Sequence, residues 1–404
     1  MYRTIARLMV AGIAALFAAC KDLAPTAPAA HVSSATPTAG ANADATLGIW
    51  QDSVIGVVAA DAQYGLFLPR NWNGDVVYYA HGFVAPQLRV ELPTNDVAPL
   101  RDALGAMGYA VAYSSFSENG FAFADGVRRT HQLRGLFTSK YGAAKRSLLV
   151  GHSLGGQIVQ ALAEGQPAQY DGALALCGLV GGTAMETQYI GQLRTVFDFF
   201  YPGVLPGNTI EMPAITNLDA QIIGPAFGAI SANPTGFGAM AQLDQTPLAG
   251  RDATEMVTTL LRVLGLQALE ANDLLGRTHG HTLFENSATP YSSATLPGFL
   301  LGALNAGVTR YTATPDATQW LAHNYQPTGK LRIPMLTLHK RFDWLVPFAQ
   351  EAAYRQIVAS AGKASLLRQR TVDDYGHCDF SGAATLTSFQ ELVTWVNTGS
   401  PPAP

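Results

Sequence analysis

The chain has 404 residues, 48% of them hydrophobic and 13% charged, which suits a globular protein with a large core and room for an insertion. Its net charge is −4 and it has no basic run, so nucleic-acid binding has no support. Forty glycines and 23 prolines fit a loop-rich exported protein and exclude a low-complexity one beyond the N-terminus.

Residues 1–20 read as an export signal, with Arg3 and Arg7 followed by an apolar stretch at 8–19. That stretch is too short to span a membrane as a stable helix. It ends in Leu16-Phe17-Ala18-Ala19-Cys20, similar to the bacterial lipoprotein signal, in which the cysteine becomes the lipidated first residue. Phe17 departs from the small or aliphatic residue usual there. Ordinary cleavage near Ala18-Ala19, or an uncleaved anchor, are the alternatives. Residues 21–46, rich in Ala, Pro, Thr and Ser, cannot bury a core and read as a flexible tether.

Alternating apolar residues begin at Trp50, and residues 53–58 and 63–68 read as two antiparallel strands. Residues 75–80 form a buried strand that runs into His81-Gly82-Phe83. A helix at 95–107, a strand at 109–113 and a helix at 125–141 follow. Next comes Ser147-Leu148-Leu149-Val150, apolar as a doubly buried strand must be, then Gly151-His152-Ser153-Leu154-Gly155, then an amphipathic run over 157–164. Strand, tight turn and helix with Ser153 at the turn is the arrangement of a nucleophile elbow. It pushes the hydroxyl over the C-terminal edge of a sheet and aims the Leu154 N–H at whatever the serine attacks. The strand ending in His-Gly assigns the second oxyanion donor to the N–H of Phe83. His81 then only has to order its own turn, and His131 reads as structural.

After a strand at 171–177 the rhythm breaks. From 183 to about 329 there are helical patterns at 185–200, 253–275, 297–305 and 315–324 but no strand. This reads as a helical cap, and its aromatic set Phe197, Phe199, Phe200 and Tyr201 either lines a cleft or packs inside the cap. The sheet resumes with a strand at 333–339, then a helix at 349–360, a strand at 365–372, a loop containing Gly376-His377-Cys378 and a closing helix at 384–396. Alternating strands and helices imply a mainly parallel sheet, with ligands beyond the strands' C-terminal ends.

A serine nucleophile needs a base, and the base needs a carboxylate to hold its tautomer. On this scaffold the order is serine, acid, histidine. Of nine histidines only His377 follows the last core strand, and Asp343 sits just past the strand before it. Asp316 and Asp273 fall in cap helices, and Asp373 and Asp374 lie too close to His377 in sequence.

These motifs together resemble the α/β-hydrolase superfamily of serine hydrolases, over residues 50–182 and 333–397. The carriers are Gly-His-Ser-Leu-Gly-Gly, the strand ending in His-Gly, Asp343 ahead of Val346-Pro347, and the late Gly376-His377. The resemblance implies an α/β-hydrolase fold: a mainly parallel sheet, helices on both faces, and a helical cap (183–329) between the sixth and seventh strands of a core formed by 47–182 and 330–404. It also implies an exported bacterial esterase or lipase-like enzyme, attached to the membrane where Cys20 is lipidated. Ser153, Asp343 and His377 would be catalytic, Phe83 and Leu154 would form the oxyanion hole, and no metal or cofactor is implied. Members with an aspartate nucleophile are excluded by Ser153. Lys340 stands where the common acid segment His-Gly-x-x-Asp has glycine. The substrate expected is a small or polymeric carboxylic ester. One rival is a capped aminopeptidase-like hydrolase using Glu255, Glu270 and Asp273 to hold an amine; the other is a binding protein on an inactive scaffold.

For Cys177 and Cys378 two readings stand, a disulfide beside the active site or two buried thiols. An exported chain and the assigned strand neighbours favour the bridge. Some tannase- and feruloyl-esterase-like hydrolases carry a similar staple, whose second position would here be His152.

Overall fold

The computed structural model describes residues 48–58, 61–324 and 326–403; the export signal, the tether and Cys20 lie outside them. Eight strands form one sheet: β1 (Trp50–Val57), β2 (Gln63–Pro69), β3 (Asp75–Ala80), β4 (Ala110–Ser114), β5 (Arg146–His152), β6 (Gly172–Leu176), β7 (Met335–Phe342) and β8 (Leu367–Tyr375). Their spatial order is β1-β2-β4-β3-β5-β6-β7-β8. β1 and β2 pair antiparallel, β2 is antiparallel to β4, and every other pairing is parallel. This is the α/β-hydrolase fold, with its reversal of strand order at β3, which lies between β4 and β5.

The central strands are buried on both faces, so alternate residues feed two separate cores. In β3, Val76, Tyr78 and Ala80 face one side and Val77 and Tyr79 the other. The first side packs on α2 (Phe123–Tyr141) through Leu133 and Phe137, on α3 (Leu154–Gly165) through Ile158 and Leu162, and on α10 (Ala349–Ser360) through Tyr354 and Val358. The second packs on α1 (Thr94–Ala106) through Val97 and Leu104, and on α11 (Gly382–Thr398) through Phe389 and Leu392. β1 is an edge strand with every second residue exposed, Ile55 and Val57 among them.

Between β6 and β7 the described residues contain helices and no strand. They are α4 (Thr183–Phe200), a π-helical turn (Asp219–Ile223), α5 (Gly224–Ala232), α6 (Pro234–Met240), α7 (Ala253–Arg277), α8 (Gly298–Gly307) and α9 (Pro315–His323). This segment has its own apolar core, in which Leu193, Val196 and Phe197 of α4 meet Leu260, Val263 and Leu264 of α7. Phe197 and Tyr201 are buried in that core and Phe199 and Phe200 pack against it, so the aromatic set supports the segment from within. The pieces from 219 to 240 were not expected as helix, because glycines and prolines there depress intrinsic helix propensity. Burial of Ile222, Ala226 and Phe237 against α4 and α7 overrides it. No helix among the described residues is long and apolar enough to cross a membrane.

Candidate active site

The ends of β5, β6 and β7 lie side by side, because Ser153 N–H donates to Leu176 O (2.9 Å) and Cys177 N–H to Leu338 O (2.8 Å). Ser153 turns the chain from β5 into α3 with φ 54° and ψ −121°, a backbone region that side chains rarely occupy. The glycines two residues either side permit that turn. A Cβ at Gly151 would lie 2.1 Å from Gly155 O, and one at Gly155 2.1 Å from Ala80 O.

From this turn the Ser153 hydroxyl lies 2.9 Å from His377 Nε2, and His377 Nδ1 lies 2.9 and 3.0 Å from the two carboxylate oxygens of Asp343. With a carboxylate at Nδ1, that nitrogen carries the proton and Nε2 is free to accept from the serine. Asp343 is fully buried and also accepts from the N–H groups of Leu345 and Val346, both at 2.9 Å. The three residues expected to act together therefore form one continuous hydrogen-bonded chain. Ser153 itself is only 9% exposed, whereas the turn alone would leave its hydroxyl open. Residues of the helical segment, Thr187, Leu266 and Leu274 among them, line the same cavity as Ser153.

Ser153 borders a small cavity together with Phe83, Leu154, Phe121, Leu345 and, from α4 and α7, Glu186 and Glu270. Both residues assigned as oxyanion donors are thus on the cavity wall. The turn holding Phe83 is close to the serine, since a Cβ on Gly82 would sit 3.2 Å from Ser153 Cβ. His81 bonds Gly82 O through Nδ1 (2.7 Å) and stacks on Phe116, ordering its own turn. His131 bonds the Tyr170 hydroxyl at 2.9 Å. Of the acidic trio considered for an amine, only Glu270 borders the cavity; Glu255 pairs with Arg251 and Asp273 with Arg277. That trio is not a cluster, because side chains 15 or more residues apart on a helix, such as Glu255 and Glu270, are over ~20 Å apart along its axis.

Cys177 and Cys378 form a disulfide with Cα atoms 5.4 Å apart. Both take left-handed backbone angles, φ 48° and 59°. The bridge fixes the loop carrying His377, and Cys378 Sγ lies 3.2 Å from His377 Nε2. Both sulfurs are bonded to each other, so the cluster of Cys177, His377 and Cys378 has no thiolate to offer a metal.

The roles of three residues around this chain were not found from the sequence. His339 is fully buried, donates from Nε2 to Val346 O (2.9 Å), and makes ion contacts with Asp343 (3.5 Å) and Glu351 (3.3 Å). Burial opposes its charge, but the Glu351 and Asp343 carboxylates outweigh it and lift His339 to about 9. Lys340, the departure from the common acid segment, pairs with Asp374 (3.1 Å) and Asp379 (3.0 Å), which stand on either side of His377. Of its partners, Asp374 was weighed in the sequence only as an acid for His377, and Asp379 was not singled out. Glu186 was hidden in the first turn of a helix, where an acid needs no further explanation.

An α/β-hydrolase scaffold that presents serine, histidine and aspartate in one hydrogen-bonded line defines the class of site. No protein-family model matches the chain. The chain is 22% identical over 407 residues to the o-phthalyl amidase of Xanthobacter agilis, a match covering 86% of this chain and 88% of that one. Among solved structures it is similar to the rice cell wall degrading esterase LipA from Xanthomonas oryzae (14% identity, 86% and 88% of the two chains, TM-score 0.41). It is also similar to feruloyl esterase B from Aspergillus oryzae (16%, 87% and 80%, TM-score 0.44) and the Pyrococcus furiosus esterase Pf2001 (10%, 89% and 95%, TM-score 0.43).

Proposed function

We propose that the protein is a serine hydrolase that cleaves carboxylic esters through an acyl-enzyme. The observation that carries this reading is the line from Ser153 Oγ to His377 Nε2 to Asp343 on the wall of a covered cavity. Ser153 attacks the ester carbonyl while His377 takes its proton, and Asp343 balances the imidazolium that results. The N–H groups of Leu154 and Phe83 receive the oxyanion. His377 then returns the proton to the departing alcohol, and water repeats the sequence on the acyl-enzyme. The segment 183–329 acts as the cap that closes the cavity and selects what enters. The disulfide suits an exported protein, and anchoring through a lipidated Cys20 belongs to the same proposal on sequence grounds. A second reading, cleavage of amides, is favoured by the relative named an amidase. Esters remain the first choice because they are the easier acyl group to cleave.

A fluorophosphonate probe should label the wild-type chain at Ser153, and Ser153→Ala should lose label and at least roughly 10³-fold of ester turnover. Turnover retained by Ser153→Ala would remove the line from the mechanism. Rates on p-nitrophenyl esters against the matching p-nitroanilides separate the two readings.

A further inference from the structure

Asp343 contacts a second imidazole besides that of His377. His339, fully buried on β7, has its Nε2 2.9 Å from Val346 O and 3.5 Å from the Asp343 carboxylate. Its Nδ1 faces Glu351 Oε1 at 3.3 Å. Glu351 is buried on α10, and its other oxygen accepts from the Thr337 hydroxyl (2.6 Å) and from the Gln369 amide. Carboxylate, imidazole, carboxylate, imidazole and hydroxyl therefore follow one another from Glu351 through His339, Asp343 and His377 to Ser153. The hydrolytic reading uses only the last three of these groups.

Both ring nitrogens of His339 face oxygens that can only accept. A neutral ring would set a lone pair against one of them, whereas an imidazolium has an N–H for each. Burial opposes the charge, but the two buried carboxylates outweigh it. No Lys or Arg among the described residues pairs with Asp343 or Glu351, so His339 is the cation at this end of the line. The other titratable groups facing the line are uncharged. Burial keeps the Glu186 carboxyl of α4 and the Tyr189 and Tyr375 hydroxyls protonated. It also keeps His152, at the end of β5, neutral down to about 4.

The Val346 peptide is gripped on both sides, its N–H by Asp343 (2.9 Å) and its C=O by His339, which closes the turn that presents the carboxylate. A positive ring beside that carboxylate keeps it ionised, and repels a proton from His377 until the serine gives one up. We propose that His339 is a positioning residue: held as a cation by Glu351, it fixes Asp343 against His377 and keeps the base unprotonated in mildly acidic conditions. This rests on the hydrolase reading above for the reaction, and on the contacts of His339 for its charge.

The test compares wild type with His339→Gln on p-nitrophenyl acetate at pH 5.5 and pH 8, with circular dichroism confirming that both are folded at each pH. The wild-type to variant ratio of kcat/KM should be at least about 3-fold larger at pH 5.5 than at pH 8, with KM little changed. A ratio equal at both pH values means a merely structural role and overturns the inference. Wild-type enzyme labelled with nitrogen-15 histidine avoids any folding defect of the variant. Its spectrum should keep one ring protonated on both nitrogens at pH 8, and neutral rings throughout overturn the inference as well. If either contrary result comes from enzyme that cleaves the ester and takes the fluorophosphonate label, the hydrolase reading stands without it. If no ester is cleaved and no label is taken, the hydrolase reading falls and the same spectra decide the link between the two rings. His377 should then hold its ring proton to higher pH in His339→Gln than in wild type, and equal behaviour overturns the link.

Discussion

At the scale of single residues, the active line is built on strain and on a buried cation. Ser153 is held at φ 54°, ψ −121°, which costs of order 1–3 kcal/mol for a residue with a side chain. Glycine adopts positive φ freely. Ser153→Gly should therefore unfold at a higher temperature than Ser153→Ala, with both inactive; calorimetry of the two variants checks this, and equal midpoints would mean that the turn stores no strain. His339 is the second case. Its pKa is raised from 6.5 to about 9, so the folded chain holds this proton more tightly than the unfolded one. The stability it adds is full below pH ~6.5 and is lost as pH rises through about 9. His339→Gln should thus cost most at pH 6 and much less at pH 10, measured as the difference in Tm; a difference independent of pH would mean that the imidazole is neutral. Ser153, Asp343 and His377 were legible in the sequence because the order of elements filters candidates: one histidine follows the last strand, one aspartate follows the strand before it. His339 was not. Its role depends on Asp343 and Glu351 folding against it from two directions, and no spacing announces that.

At the scale of elements, the β8–α11 loop that carries His377 is gripped twice. The disulfide holds Cys378, and Lys340 reaches from β7 to Asp374 and Asp379. The acids are half exposed or more, so the ion pairs contribute about 1 kcal/mol rather than the larger cost of a buried pair. Their effect on position is greater than on stability. Lys340→Met should lower kcat on a neutral ester by about 10-fold at little change in KM, with a fall in Tm of a few degrees. Unchanged kcat at saturating ester would show that the disulfide alone fixes the loop. Helix α7 is gripped at its two ends as well. Near its start Tyr375 donates to Glu255 O (3.1 Å) and Arg251 pairs with Asp374 (3.2 Å). At its end Asp273 accepts from Phe121 N–H (2.7 Å) and Arg277 donates to Asn119 O (2.7 Å). The helix was legible from its apolar period. The structure adds an Asp252 cap, whose side chain accepts from Thr254 and Glu255 N–H. Its clasps were not, since they join residues more than 100 positions apart, as do Tyr375 and Glu255.

At the scale of the whole molecule, the sheet was legible because β3, β5 and β6 are short apolar runs spaced by helices, a pattern that only a doubly covered parallel sheet explains. The helical segment was legible as an interruption but not in its detail between 219 and 240, where tertiary burial decides. The Cys177–Cys378 bond spans 201 positions, and all of α4 through α9 lies between its two cysteines. Topologically, this turns half of the chain into a closed ring with two tails. A single cut inside the ring opens it without dividing the molecule. Exposed sites such as Pro213, Ala214, Thr216 and Asn217 offer a protease such a cut. Limited proteolysis there should give one band on a gel without reductant and two with it, whereas fragments that part without reductant would show the bond to be absent. A nicked enzyme would then keep its serine, aspartate and histidine in one covalent piece, so that damage to the segment need not release one half of the site from the other.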